Sequence, residues 1–148
     1  DCIVLMMYDA QKHVIANVHS GWKGTVQKIA SKTIDKMQEQ YNCNPKDIIC
    51  CISPSIRKCH FEVDKDVKDA FLDAFPKETE NIEQVQEKWH IDTVRINIEM
   101  LKEKGLREEN IIDSKICTVC NCSQIHSYRG SKHHNGLEMG ILELKGMI

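Results

Sequence analysis

Two side chains in the first twenty residues have types and spacing suited to chemistry. Cys2 lies in Asp1-Cys2-Ile3-Val4-Leu5, and His19 lies in Asn17-Val18-His19-Ser20-Gly21-Trp22-Lys23-Gly24. Each sits at one end of an apolar run, with the turn-prone Asp9-Ala10-Gln11-Lys12 between the two runs. Paired as a hairpin, the runs bring the first residue of one strand beside the last residue of the other. A thiolate next to an imidazole is either a soft-metal site or a nucleophile–base pair. The plainer alternative is a core cysteine near a satisfied histidine.

The residues after His19 extend this picture. Gly21 and Gly24 punctuate a tight strand-to-helix turn. A helix N-terminus there offers unpaired N–H groups to an anion, and Lys23 could add a positive charge. The structural alternative is a simple turn with a buried Trp22 and an exposed Lys23.

Further soft ligands lie downstream. Cys59 and His60 are adjacent, and because neighbours rarely bind one ion together, at most one is expected to face a site. Cys117-Thr118-Val119-Cys120-Asn121-Cys122 contains a C-x-x-C that could be half of a structural zinc site or a redox pair. A second C-x-x-C to close it is absent. Arg129, in Ser127-Tyr128-Arg129, could clamp a phosphate or carboxylate. Arg57 and Lys58 suit either an anionic substrate or a solvated loop. His133 and His134 are expected at the surface.

These residues must be positioned by an α/β or α+β scaffold. Ile3 to Tyr8 and Val14 to His19 read as strands rich in β-branched and apolar residues. Val26, Ile29, Ala30, Thr33, Ile34, Met37 and Tyr41 recur at helical spacing, predicting one helix that ends at Asn42 to Pro45. Ile48 to Ile52 reads as a buried strand. A second helix is expected from Asp64 to Phe75, and a third after an Asp92 N-cap, ending at Gly105. Lys77 to Lys88 reads as a loop with some helix, and Ile111-Ile112 and Met139 to Leu144 as strands. The elements alternate irregularly, so helices should pack on a mixed sheet.

The bulk numbers exclude several classes. The 148 residues are one domain's worth, long enough for a real core. Twenty basic side chains against 22 acidic ones, a net charge of -2, give no electrostatic reason to expect nucleic acid or an anionic membrane. No apolar run reaches the ~18 residues of a membrane helix. The apolar start lacks the basic lead-in of a signal peptide, so the eight cysteines are expected reduced, in the cytoplasm. The chain begins without methionine inside an apparent strand, which suggests the C-terminal part of a longer polypeptide.

Taken in order, these segments resemble the YfiH family, also described as the polyphenol oxidase or laccase-domain family and as peptidoglycan editing factor. The resemblance rests on Asp1-Cys2, on His19-Ser20-Gly21-Trp22-Lys23-Gly24, and on Ile52 to Val63 with its Ser-Pro-Ser-Ile-Arg-Lys-Cys-His-Phe-Glu core. It continues through Asp92 with Asn97, Cys117 to Cys120, and Ser127-Tyr128-Arg129, and so covers essentially the whole chain, residues 1–148, as a single domain. It implies a YfiH-type, cysteine-hydrolase-like fold with one zinc site built from one cysteine and two histidines. Cys2 matches the cysteine ligand and His19 one histidine ligand. The other family histidine lies upstream of the Asp-Cys motif, outside this chain.

The resemblance further implies a purine nucleoside enzyme. Members phosphorolyse adenosine, inosine, guanosine and methylthioadenosine to base and pentose 1-phosphate, and also deaminate adenosine. Lys23 and Arg129 are candidates for the phosphate site on charge and position alone. Two other readings compete: a copper-dependent phenol oxidase, and a non-catalytic zinc protein acting in cell-wall editing. A multicopper oxidase needs more clustered histidines than the seven spread along this chain. The chain also departs from the family pattern. Ser53 replaces a common glycine, His126 stands where an aromatic usually precedes Ser-Tyr-Arg, and the Gly-Arg pair that usually follows is missing.

Overall fold

The computed structural model describes residues 1–131 and 136–146. His133 and His134 therefore lie outside the described residues. Strand β1 (Ile3–Asp9) and strand β2 (Val14–Ser20) form an antiparallel hairpin in which Val4 pairs with His19 and Ile3 with Ser20. Along β1 the side chains of Ile3, Leu5 and Met7 point into the core while Val4 and Met6 point to the other face. The turn between the strands is tied by Asp9, whose Oδ1 accepts the N–H groups of Gln11 and Lys12 at 2.9 and 3.0 Å.

Strand β3 (Ile48–Ile52) pairs antiparallel with the other edge of β1. Strand β7 (Ile111–Asp113) pairs parallel with β3, which gives a four-stranded mixed sheet in the order β2-β1-β3-β7. A smaller antiparallel sheet, β4-β6-β5, comprises β4 (Glu62–Val63), β5 (Ile82–Val85) and β6 (Lys88–Ile91). Helices α1 (Trp22–Val26), α2 (Ile29–Tyr41), α3 (Lys65–Ala74) and α4 (Thr93–Glu103) complete the domain. Ala30, Ile34 and Met37 of α2 and Val94, Ile96, Met100 and Leu101 of α4 join the buried side chains of β1 and β3 in one core. The mixed α+β class agrees with the sequence reading.

Three elements differ from expectation. The helix expected through Val26 and Tyr41 is broken in two, because Lys28 takes a left-handed conformation with φ 59°. Residues 82–91 form the β5–β6 hairpin rather than a loop; three of the four β5 residues are exposed, so its sequence carries no apolar alternation. Met139 to Leu144 forms no strand. Its recorded tie to the hairpin is Asn17 Nδ2, which donates to the Gly140 carbonyl at 2.7 Å. The Asp92 cap is present: its Oδ1 accepts the Arg95 N–H at 2.9 Å at the start of α4. Among the described residues no helix is long and apolar enough to cross a membrane.

Candidate metal centre and cleft

The hairpin register carries Cys2 and His19 to the same end of the sheet, and Gly21 lies between them. A Cβ built on Gly21 would stand 3.2 Å from His19 Nε2 and 3.3 Å from Cys2 Sγ. Gly21 has an ordinary extended backbone, with φ -66°, so its role is room rather than conformational freedom. Only a residue without a Cβ leaves this space between sulfur and imidazole open. A thiolate and a neutral imidazole around such a cradle suit a soft divalent ion, and two protein ligands leave further coordination positions to be filled. Among the described residues, Cys2 and His19 are not joined by a third histidine, cysteine or carboxylate in a convergent group.

Beneath His19 the turn rests on buried uncharged polar groups. Ser20 Oγ donates to Asn97 Oδ1 at 2.9 Å and lies 3.0 Å from Thr25 Oγ1, while Asn97 Nδ2 donates to Thr25 Oγ1 at 3.2 Å and to the Thr93 carbonyl at 2.8 Å. Ser20, Thr25 and Asn97 are almost wholly buried. Each satisfies the others in a low-dielectric setting, so the network fixes the exit of β2 relative to α1 and α4. Gly24 completes the turn, since a Cβ there would meet the His19 carbonyl oxygen at 3.3 Å.

Asp1 anchors the opposite wall. Its Oδ1 accepts Thr118 Oγ1 at 2.6 Å and Ser127 Oγ at 2.7 Å, and its Oδ2 accepts the Arg129 N–H at 2.8 Å. The Arg129 guanidinium reaches across to the carbonyls of His60 and Glu62 at 3.4 and 3.0 Å. Cys2, His19 and Arg129 thus line one cleft of about 750 Å³, whose walls also include Trp22, Phe61 and Tyr128. A cleft of this size, mainly apolar with a few polar groups, is typical of a small-molecule site. Lys23 is not among its lining residues; its ammonium stands 5.5 Å over the ring of Trp22. Trp22 itself is exposed rather than buried.

A second group of ligands is brought together outside the cleft's convergent pair. Cys59, His60, Cys117 and Cys120 place their ligand atoms within 4.8 Å of one another. This corrects the expectation that at most one of Cys59 and His60 would face a site. The chain curls at this point, with the His60 and Phe61 N–H groups both donating to the Arg57 carbonyl, and the tight turn turns both neighbouring side chains to one side. Burial raises the Cys59 thiol, helped by its hydrogen bonds to Cys117 and Cys120. Burial would also raise Cys117, but N–H groups of Cys120 and Arg57 and the His60 ring outweigh it and favour the thiolate. Arg57 braces this loop through Asp113, with Nη1 and Nη2 bonded to the two carboxylate oxygens at 2.9 and 2.8 Å.

A mixed sheet with a Cys–His pair at the end of its first hairpin, beside a cleft lined by both residues, defines an α+β domain of this class. The chain belongs to the multi-copper polyphenol oxidoreductase laccase family, whose model matches residues 1–145. It is 31% identical over 147 residues to the purine nucleoside phosphorylase YlmD of Bacillus subtilis, covering 98% of this chain and 52% of that protein. It is 30% identical over 131 residues to the adenosine deaminase RL5 of an unknown prokaryotic organism, covering 87% of this chain and 50% of that protein. Its fold is similar to the crystal structure of the hypothetical protein YfiH of Bacillus licheniformis. The TM-score is 0.84 at 28% identity, over 90% of this chain and 51% of that one. The chain thus spans about half the length of the curated relatives it matches.

Proposed function

We propose that the protein to which this chain belongs is a zinc-dependent purine nucleoside phosphorylase with adenosine deaminase activity. It would cleave adenosine, inosine, guanosine and methylthioadenosine with phosphate, in the cytoplasm. The observation that carries this reading is the opening left by Gly21 between Cys2 Sγ and His19 Nε2 at the wall of the cleft. The names of two relatives, a purine nucleoside phosphorylase and an adenosine deaminase, support the substrate class.

In this reading Cys2 and His19 would hold a zinc ion, which supplies Lewis acidity beside the substrate when bound. Phosphorolysis breaks the bond between the purine nitrogen and ribose C1′ and forms one from C1′ to a phosphate oxygen, with a proton of the hydrogen phosphate passing to the nitrogen of the departing base. Arg129, fixed by Asp1 and by the carbonyls of His60 and Glu62, contributes positive charge toward the phosphate without having to reorganise. Lys23, in α1 beside Trp22 and outside the cleft lining, adds to the positive potential. Trp22, Phe61 and Tyr128 provide the apolar wall against which a purine stacks.

A copper-dependent phenol oxidase asks for clustered histidines. Among the described residues, the one convergent ligand group contains three sulfurs and a single imidazole, which is not the histidine cluster such an oxidase needs. The test is phosphate-dependent release of hypoxanthine from inosine by the full-length protein, alongside metal analysis. Cys2→Ala and His19→Ala should each abolish turnover while the fold survives. Undiminished turnover in either variant overturns the assignment.

A further inference from the structure

We propose that Cys59, His60, Cys117 and Cys120 form a closed, four-ligand structural site for a zinc-class ion, separate from the Cys2–His19 pair. The argument is geometric. Ligands at zinc-bond lengths on the corners of a tetrahedron lie about 3.8 Å apart for two sulfurs and about 3.5 Å apart for sulfur and nitrogen. The sulfur of Cys59 lies 3.7 Å from that of Cys117 and 3.9 Å from that of Cys120. Nδ1 of His60 lies 3.2 Å from Cys59 Sγ, 3.7 Å from Cys117 Sγ and 3.5 Å from Cys120 Sγ. Five pair separations thus match one tetrahedron of the Cys3His type.

The pattern differs from that of a disulfide. A disulfide brings two sulfurs together and leaves the rest aside, whereas here five separations among three sulfurs and one ring nitrogen fall between 3.2 and 3.9 Å, and all four atoms lie within 4.8 Å of one another. Ligand orientation is built in as well. The backbone bridge between Ser55 and Cys117, closed by Thr118 N–H to the Ser55 carbonyl at 3.1 Å, aligns the C-x-x-C turn with the Arg57–Phe61 turn. Four protein ligands fill the coordination sphere, so the ion here would be structural. It would clamp the loop that supplies Arg129 with two carbonyl acceptors to the turn that supplies Asp1 with Thr118.

The experiment uses the full-length protein, isolated without chelator under reducing conditions, in a Cys2→Ser/His19→Ala background that removes both ligands this chain offers at the cleft. One zinc equivalent per chain should remain. Adding Cys59→Ser and Cys120→Ser should remove it. Cobalt(II) in the same background should give thiolate charge-transfer bands and the intense visible bands of tetrahedral cobalt. His60→Cys keeps four donors and serves where the serine variants fail to fold: it should retain the ion with a stronger sulfur-to-cobalt band. A background protein without metal overturns the proposal, as does metal content indifferent to the serine changes. A disulfide from Cys59 to Cys117 or Cys120 in the freshly reduced, metal-supplied protein does the same.

Discussion

The carboxylate of Asp1 accepts the backbone N–H of Arg129 at 2.8 Å, across 128 positions of sequence. The same carboxylate accepts two hydroxyls, from Thr118 and Ser127, so one side chain beside Cys2 organises the whole far wall of the cleft. An amide in its place can accept on one side only. Asp1→Asn should therefore cost about 1.5–3 kcal/mol, the range for hydrogen bonds to a charged group. Differential scanning calorimetry should register a lower Tm, and limited proteolysis should cut faster within residues 117–131.

Gly21→Ala tests the cradle directly. The new methyl would sit in contact with both His19 Nε2 and Cys2 Sγ, closer than most real contacts, while the backbone at φ -66° accepts alanine without strain. The expected outcome is a metal affinity lower by an order of magnitude or more with an unchanged far-ultraviolet circular dichroism spectrum. Equilibrium titration against a chelating dye measures it.

Asn97→Ala removes the residue that ties Ser20, Thr25 and the Thr93 carbonyl together. Ser20 and Thr25 stay buried with fewer partners, so a loss of about 1–3 kcal/mol per stranded group is expected. Urea unfolding should show a lower midpoint with little change in slope. The turn holding His19 should also exchange its amide hydrogens faster.

The Arg57–Asp113 pair gives a pH signature. Burial would raise the Asp113 carboxyl, but Arg57 and the Lys115 N–H overcome it and hold the group below its ordinary value. A depressed carboxyl stabilises the fold in full above its unfolded pKa of about 3.9 and loses that contribution as pH falls through the folded value. The stability difference between the native protein and Asp113→Asn should be flat above about pH 5 and shrink below about pH 4. A difference that grows on acidification would contradict the pairing.

Much of the scaffold was legible because its signals are local. The β1–β2 hairpin announces itself by two apolar runs around a turn, and Asp92 caps α4 as its type and position suggest. The break at Lys28 was hidden, since lysine in a left-handed conformation leaves no trace in a helical repeat. The β5–β6 hairpin was missed because its residues are mostly exposed, and burial is what writes alternation into a strand. At the group of Cys59, His60, Cys117 and Cys120 the limit was different. The C-x-x-C at 117–120 was visible, but its partners lie 57 and more positions away. The turn at Arg57 that aims two neighbours the same way is a backbone event, and residue types alone do not encode it.

The platform under His19 is electroneutral: two hydroxyls and a carboxamide, with no group that gains or loses a proton in the working range of an enzyme. Acidity can therefore alter what happens in the cleft without loosening the floor on which the imidazole stands. A bell-shaped rate profile measured for the whole protein would then describe the reacting groups themselves and not the softening of their support.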